Sequence, residues 1–168
     1  MINIYNKDCL EALKEMSDNQ FDLAIVDAPY GIGISGQKEI KKGKKSDRKH
    51  HKEKEWDKEI PSKEYFNELQ RVSKNQIIWG ANFFGLKGGF LYWHKNVTMP
   101  TYSTGELAWL SWLNKIDYFD CTWHGMLQDD MKNKEVRMHP TQKPVKLYKW
   151  LLNNYAKEGD KILDTHLG

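Results

Sequence analysis

The sequence predicts an α/β fold built on a doubly wound, mostly parallel sheet, and three observations carry that expectation. Short β-branched or aromatic runs alternate along the chain with segments whose apolar residues recur at helical spacing. The apolar run Phe21-Asp22-Leu23-Ala24-Ile25-Val26 reads as a buried strand. Turn residues punctuate the pattern at the expected places, among them Ser17-Asp18-Asn19 and Pro61-Ser62.

Taken in order, Ile2 to Tyr5 reads as a strand, and Leu10, Leu13 and Met16 mark the first helix. The second strand ends at Asp27. Pro61-Ser62 opens a helix with Ser62 as N-cap and Tyr65, Phe66, Leu69 and Val72 as its apolar face. Gln76 to Trp79, Phe90 to Trp93, Leu107 to Trp112 and Ile116 to Phe119 read as further strands. After Pro144, Tyr148, Leu151, Leu152 and Tyr155 form a helical stripe, and Lys161 to Leu163 is the last strand. No internal repeat is found.

Length and composition fit one globular domain. The 168 residues suffice for a hydrophobic core, and 39% of them are hydrophobic. No apolar stretch approaches the roughly 20 residues of a membrane span, and the N-terminus lacks a secretory h-region, so a cytoplasmic protein is expected. Cys9 and Cys121 form neither a metal-ligand spacing nor a disulfide framework. No metal is expected.

The net charge of +3 is unevenly spread, since Lys38 to Lys58 holds ten Lys or Arg against five acids. This segment has almost no apolar residues and is expected to be a mobile loop. It reads either as a solvated insertion or as a DNA clamp, with Lys41, Lys42, Lys44, Lys45, Arg48 and Lys49 pairing with phosphates. The two are compatible, because a free loop can order on DNA.

The chemistry is concentrated in Asp27-Ala28-Pro29-Tyr30, where a buried strand empties into an acid, a proline and an aromatic. Open α/β sheets bind ligands at that edge. A carboxylate and a free carbonyl suit the two hydrogens of an exocyclic amine, and a flat ring suits the face of a planar base. Four residues also recur by chance, and a strand-ending turn is the plain alternative.

The tetrapeptide does not stand alone. It is joined by Asn6-Lys7-Asp8-Cys9-Leu10, Gln76-Ile77-Ile78-Trp79-Gly80-Ala81-Asn82, Glu106-Leu107-Ala108-Trp109, His139-Pro140-Thr141-Gln142-Lys143-Pro144 and Lys161-Ile162-Leu163-Asp164-Thr165-His166-Leu167-Gly168. In this order the six segments resemble the DNA amino-methyltransferases of the beta arrangement, in which the catalytic motif precedes the S-adenosylmethionine motif. The likeness runs over nearly the whole chain.

The resemblance implies a Rossmann-like S-adenosylmethionine-dependent methyltransferase fold, with an inserted target-recognition segment. It divides the single domain into a catalytic half (1–93) carrying the basic loop 38–58, a recognition segment (94–137), and the start of a cofactor-binding half (138–168). Asp27, Ala28, Pro29 and Tyr30 become the catalytic residues. Asp27 and the Ala28 carbonyl would accept the amine hydrogens, and Tyr30 would stack on the flipped base. Relatives usually have proline where this chain has Ala28, which leaves the carbonyl in place but loosens the turn.

Cofactor contacts are implied for Asp8, Cys9, Thr141, Lys143, Pro144, Asp164, His166 and Gly168. Asp8 fits equally well as an N-cap, and His139-Pro140 as a rigid turn before the next helix. His94 and Lys95 join the basic loop as DNA contacts. In relatives more glycines, a helix and a strand with a ribose-binding acid follow Gly168. A chain ending there is therefore expected to have an incomplete fold, to bind the cofactor weakly, and to self-associate through an exposed sheet edge.

The reaction implied is methyl transfer to adenine N6 of double-stranded DNA, of the kind that phages and restriction systems carry. An acid first and a tyrosine last favour adenine over cytosine N4. The alternatives are cytosine N4 methylation, an inactive DNA-binding module, and methylation of a glutamine amide. The basic loop and the motif order favour nucleic acid over the last of these.

Overall fold

The computed structural model describes residues 1–33, 57–100, 102–139 and 141–166. Six strands form one sheet in the order β5-β3-β4-β2-β1-β8. These are β1 (Phe21–Val26), β2 (Ser73–Trp79), β3 (Gly89–His94), β4 (Gly105–Leu110), β5 (Ile116–Asp120) and β8 (Ile162–Leu163). β1 pairs in parallel with β2 and β8, and β3 pairs in parallel with β5. Only β4 runs against its neighbours β2 and β3. The fold is thus α/β with a mixed sheet.

Alternation along the strands divides the core between the two faces. Leu23, Ile25, Ile77, Trp79, Leu91 and Leu110 pack with Leu147 and Leu151 of helix α4 (Val145–Tyr155). Ala24, Val26, Ile78 and Leu163 pack instead with Leu13 of α1 (Cys9–Lys14) and with Tyr65, Leu69 and Val72 of α2 (Lys63–Val72). Helices cover both faces, which is what doubly apolar strands require. Both leading helices carry the caps read from sequence: Asp8 accepts from the Glu11 N–H at 3.1 Å, and Ser62 Oγ accepts from the Tyr65 N–H at 3.2 Å.

Four departures from the sequence reading have physical causes. Ile2 to Tyr5 forms no strand and is exposed, because no described segment offers it a ladder partner. The stripe of α4 runs through Leu147 and Leu151, while Leu152 lies turned outward. Helix α3 (Ala81–Phe84) is a single turn bounded by left-handed Gly80 and Gly85, too short to show a period. β6 (Trp123–His124) and β7 (Leu127–Gln128) pair as a two-residue hairpin, equally below the reach of alternation. Among the described residues, no helix is long and apolar enough to cross a membrane.

Candidate active site

Strand direction decides what meets at the site. β1, β2, β3 and β8 point the same way, so Asp27, Gly80, Lys95 and Asp164 all follow strand ends at one edge of the sheet. Antiparallel β4 begins at that edge, with Gly105 opposite His94, and so delivers Glu106 from its amino end. There a cavity of about 650 Å³ opens, its wall including Asp27, Pro29, Tyr30, Phe83, Glu106 and Lys143.

Two carboxylates and two ammonium groups share its floor. Lys143 Nζ lies 2.5 Å from Asp27 Oδ2 and 3.1 Å from Glu106 Oε2. Lys95 pairs with the other Glu106 oxygen. The Tyr30 hydroxyl donates to Asp27 Oδ1 at 2.7 Å and lies 3.1 Å from Lys143 Nζ. Burial works against the Glu106 charge, but Lys143 and Lys95 outweigh it and hold the carboxyl down at about 2. Burial likewise opposes the Lys143 charge, and Glu106 and Asp27 outweigh it, leaving the pKa above its ordinary value. Burial first, then the charges of Asp27 and Glu106, push the Tyr30 phenol up, so it stays protonated and donates.

The turn that presents Asp27 is held from three sides. Ala28 is buried in the α1/α2 face of the core. Asp57 accepts the N–H groups of Tyr30 at 2.8 Å and Gly31 at 3.0 Å, and its own carbonyl accepts the Gly33 N–H at 3.0 Å. The two stems of the basic segment therefore meet beside the turn. The Tyr30 ring stacks on Phe83 with centroids 5.1 Å apart and planes 18° apart. Gly80, at φ +76°, lets the ring approach, for a Cβ there would lie 2.3 Å from Tyr30 Cε1.

A smaller cavity of about 250 Å³ adjoins this one through Pro29, which lines both. Its wall brings together Asp8, Cys9 and His166 with Ile60, Pro61 and Tyr65. Cys9 Sγ lies 3.8 Å from His166 Nε2. Burial pushes the Cys9 thiol up and the His166 imidazole down, so both are neutral. Asp164 accepts the His166 N–H at 3.0 Å, and its pKa is raised by burial and by the nearby charge of Asp27. Two acids, Asp8 and Glu59, lie there among neutral donors and apolar rings, a lining that suits a nucleoside. That lining can admit the nucleoside part of S-adenosylmethionine.

Of the residues expected at the cofactor, some line one cavity and some the other, while Pro144 and Asp164 are in the lining of neither. Asp8, Cys9 and His166 line the smaller one, whereas Thr141 and Lys143 line the larger. Thr141 Oγ1 bonds His139 Nδ1 at 2.9 Å, and Pro144 is the buried N-cap position of α4. Gly168 lies outside the described residues, as do Lys41, Lys42, Lys44, Lys45, Arg48 and Lys49. Of the remaining DNA candidates, Lys95 is paired with Glu106. His94 Nδ1 is 2.8 Å from Asp120 Oδ2 and 3.1 Å from the Tyr118 hydroxyl.

Two residues escaped the sequence reading. Phe83 sits on the single-turn α3, and its only sequence signal was proximity to the Gly80-Ala81-Asn82 segment. Glu106 opened one of the resemblance segments but carried no role, because only the reversed direction of β4 brings it to Asp27.

No family model matches the chain. It is similar to the type II methyltransferase M2.MboI of Moraxella bovis, at 24% identity over 99% of this chain and 75% of that protein. A relative at that distance, on an α/β fold, suggests membership among the methyltransferases and a methyltransferase-like function in general.

Proposed function

We propose that the chain is a DNA methyltransferase that moves the methyl group of S-adenosylmethionine to N6 of an adenine flipped out of the duplex. The observation that carries this reading is the Asp27 carboxylate at the end of β1, oriented by Tyr30 and Lys143 on the floor of a base-sized and larger cavity. The distant likeness to a type II methyltransferase supports the reaction class.

An exocyclic amine is a poor nucleophile because its lone pair is delocalised into the ring. Asp27 accepts one of its hydrogens and the Ala28 carbonyl the other, drawing the nitrogen toward sp3 geometry. Lys143 and Tyr30 fix the carboxylate so that its free lone pairs meet the amine without reorganisation. The Tyr30–Phe83 pair forms an aromatic wall for the base. Asp8, Cys9 and His166 would hold the cofactor, with Asp164 fixing the His166 backbone and Pro29 at the junction of the two cavities. When bound, the cofactor supplies an electrophilic methyl on a sulfonium.

The test is a radiolabelled methyl assay of the full gene product on unmethylated double-stranded DNA, followed by nucleoside analysis. N6-methyl-2′-deoxyadenosine is the expected product. N4-methyl-2′-deoxycytidine would reassign the base, and no incorporation above an Asp27→Ala control would overturn the reading.

A further inference from the structure

Arg137 lines the larger cavity and is held by a ring, not by a carboxylate. Its guanidinium carbon lies 4.1 Å from the centroid of Trp123, which is itself buried and donates from Nε1 to the Gln142 carbonyl at 2.7 Å. The Nε and Nη2 atoms are buried and have no hydrogen-bond partner among the described residues. These two donors form one edge of the guanidinium fork. The edge matches two oxygens of a phosphate or carboxylate.

The other charges of the cavity floor and turn are answered. Asp27 and Glu106 face Lys143, Lys95 pairs with Glu106, and Asp57 accepts backbone N–H groups. Glu135 is the acid closest to answering Arg137, yet its Oε2 accepts the Val145 N–H at 3.0 Å. Burial lowers the Arg137 pKa, in keeping with a cation short of partners. Orphaned buried donors are costly and uncommon in folded proteins. A volume of about 650 Å³ also exceeds the need of a lone base.

We infer that Arg137, stacked on Trp123, is an oxyanion-binding residue of the cavity, taking either the phosphate of the target nucleotide or the carboxylate of the cofactor. The presence of an oxyanion site follows from the geometry alone; its two named sources rest on the methyltransferase reading.

Inorganic phosphate is titrated first into the full protein, followed by tryptophan fluorescence, and then into Arg137→Gln and Arg137→Lys. Phosphate is expected to bind the parent protein in the millimolar range, with affinity falling about tenfold or more in Arg137→Gln and less in Arg137→Lys, which keeps the charge but loses the fork. Two further arms separate the sources. If the carboxylate is the ligand, Arg137→Gln weakens S-adenosylhomocysteine but not 5′-methylthioadenosine, which lacks that group. If the phosphate is the ligand, both nucleosides bind unchanged, and the slope of log K against log salt for duplex DNA falls by about 0.9. Phosphate that fails to bind the parent protein, or that binds all three alike, overturns the inference. Arg137-dependent phosphate binding in a protein that takes neither nucleoside nor DNA would keep the oxyanion site and sink the methyltransferase reading.

Discussion

At the scale of the residue, the site is a charge-balanced group in which each carboxylate has a cation within contact. Asp27→Asn keeps the shape but weakens the acceptor, so kcat is expected to fall by at least about 100-fold while DNA affinity and melting temperature change little. A methyl assay alongside a DNA titration checks both halves. Glu106 gives a pH signature. Its folded pKa of about 2 lies below its ordinary 4.5, so its contribution to stability is complete above pH 4.5 and is lost as pH falls toward 2. Glu106→Gln is expected to flatten the pH dependence of the melting temperature across that window. A parallel acid limb in the two proteins would show that other carboxylates set it. The sequence made Asp27 and Tyr30 legible because they adjoin one strand, but it placed Lys143 with the cofactor. Only the fold carries it to Asp27, since the pairing spans most of the chain.

At the scale of the element, legibility followed length only in part, since two-residue β8 was readable as Lys161 to Leu163. α2 and α4 carry enough residues for a helical period to emerge, and β1 is a continuous apolar run, whereas α3 and the β6/β7 hairpin offer neither. Ile2 to Tyr5 shows the converse, because an alternating pattern is not a strand until another strand pairs with it. The glycines flanking α3 separate two kinds of strain. Gly80→Ala would force a left-handed alanine and drive its Cβ into Tyr30, with an expected loss of about 1–3 kcal/mol and a disturbed tyrosine environment. Gly85→Ala meets nothing within 4 Å and bears only the backbone strain, about 1 kcal/mol. Denaturant melts of the pair, with near-ultraviolet dichroism, isolate the contact with Tyr30. Equal losses and equal spectra would mean that Gly80 does not seat the ring.

At the scale of the whole molecule, the sheet gathers one edge of polar chemistry above two apolar faces. Replacing Lys41, Lys42, Lys44, Lys45, Arg48 and Lys49 by Gln is expected to lower the salt slope of DNA binding by up to about 0.9 for each cation that meets a phosphate, leaving the rate on saturating DNA unchanged. Parallel salt titrations would assign the segment to solvation alone. The α/β class was visible from the alternation of elements; the antiparallel β4, which supplies Glu106, was not, because periodicity carries no direction.

The hydrogen bond from Gly33 to the Asp57 carbonyl, with the Asp57 carboxylate clamping Tyr30 and Gly31, closes the neck of the basic segment at its base. Gly33 and Asp57 are thus the two ends of a fixed socket. Doubling the length of such an inserted loop costs only about 0.6 kcal/mol in closure entropy. Evolution or an engineer can therefore lengthen, shorten or recharge the inserted segment, and the turn that carries Asp27 need not register the exchange.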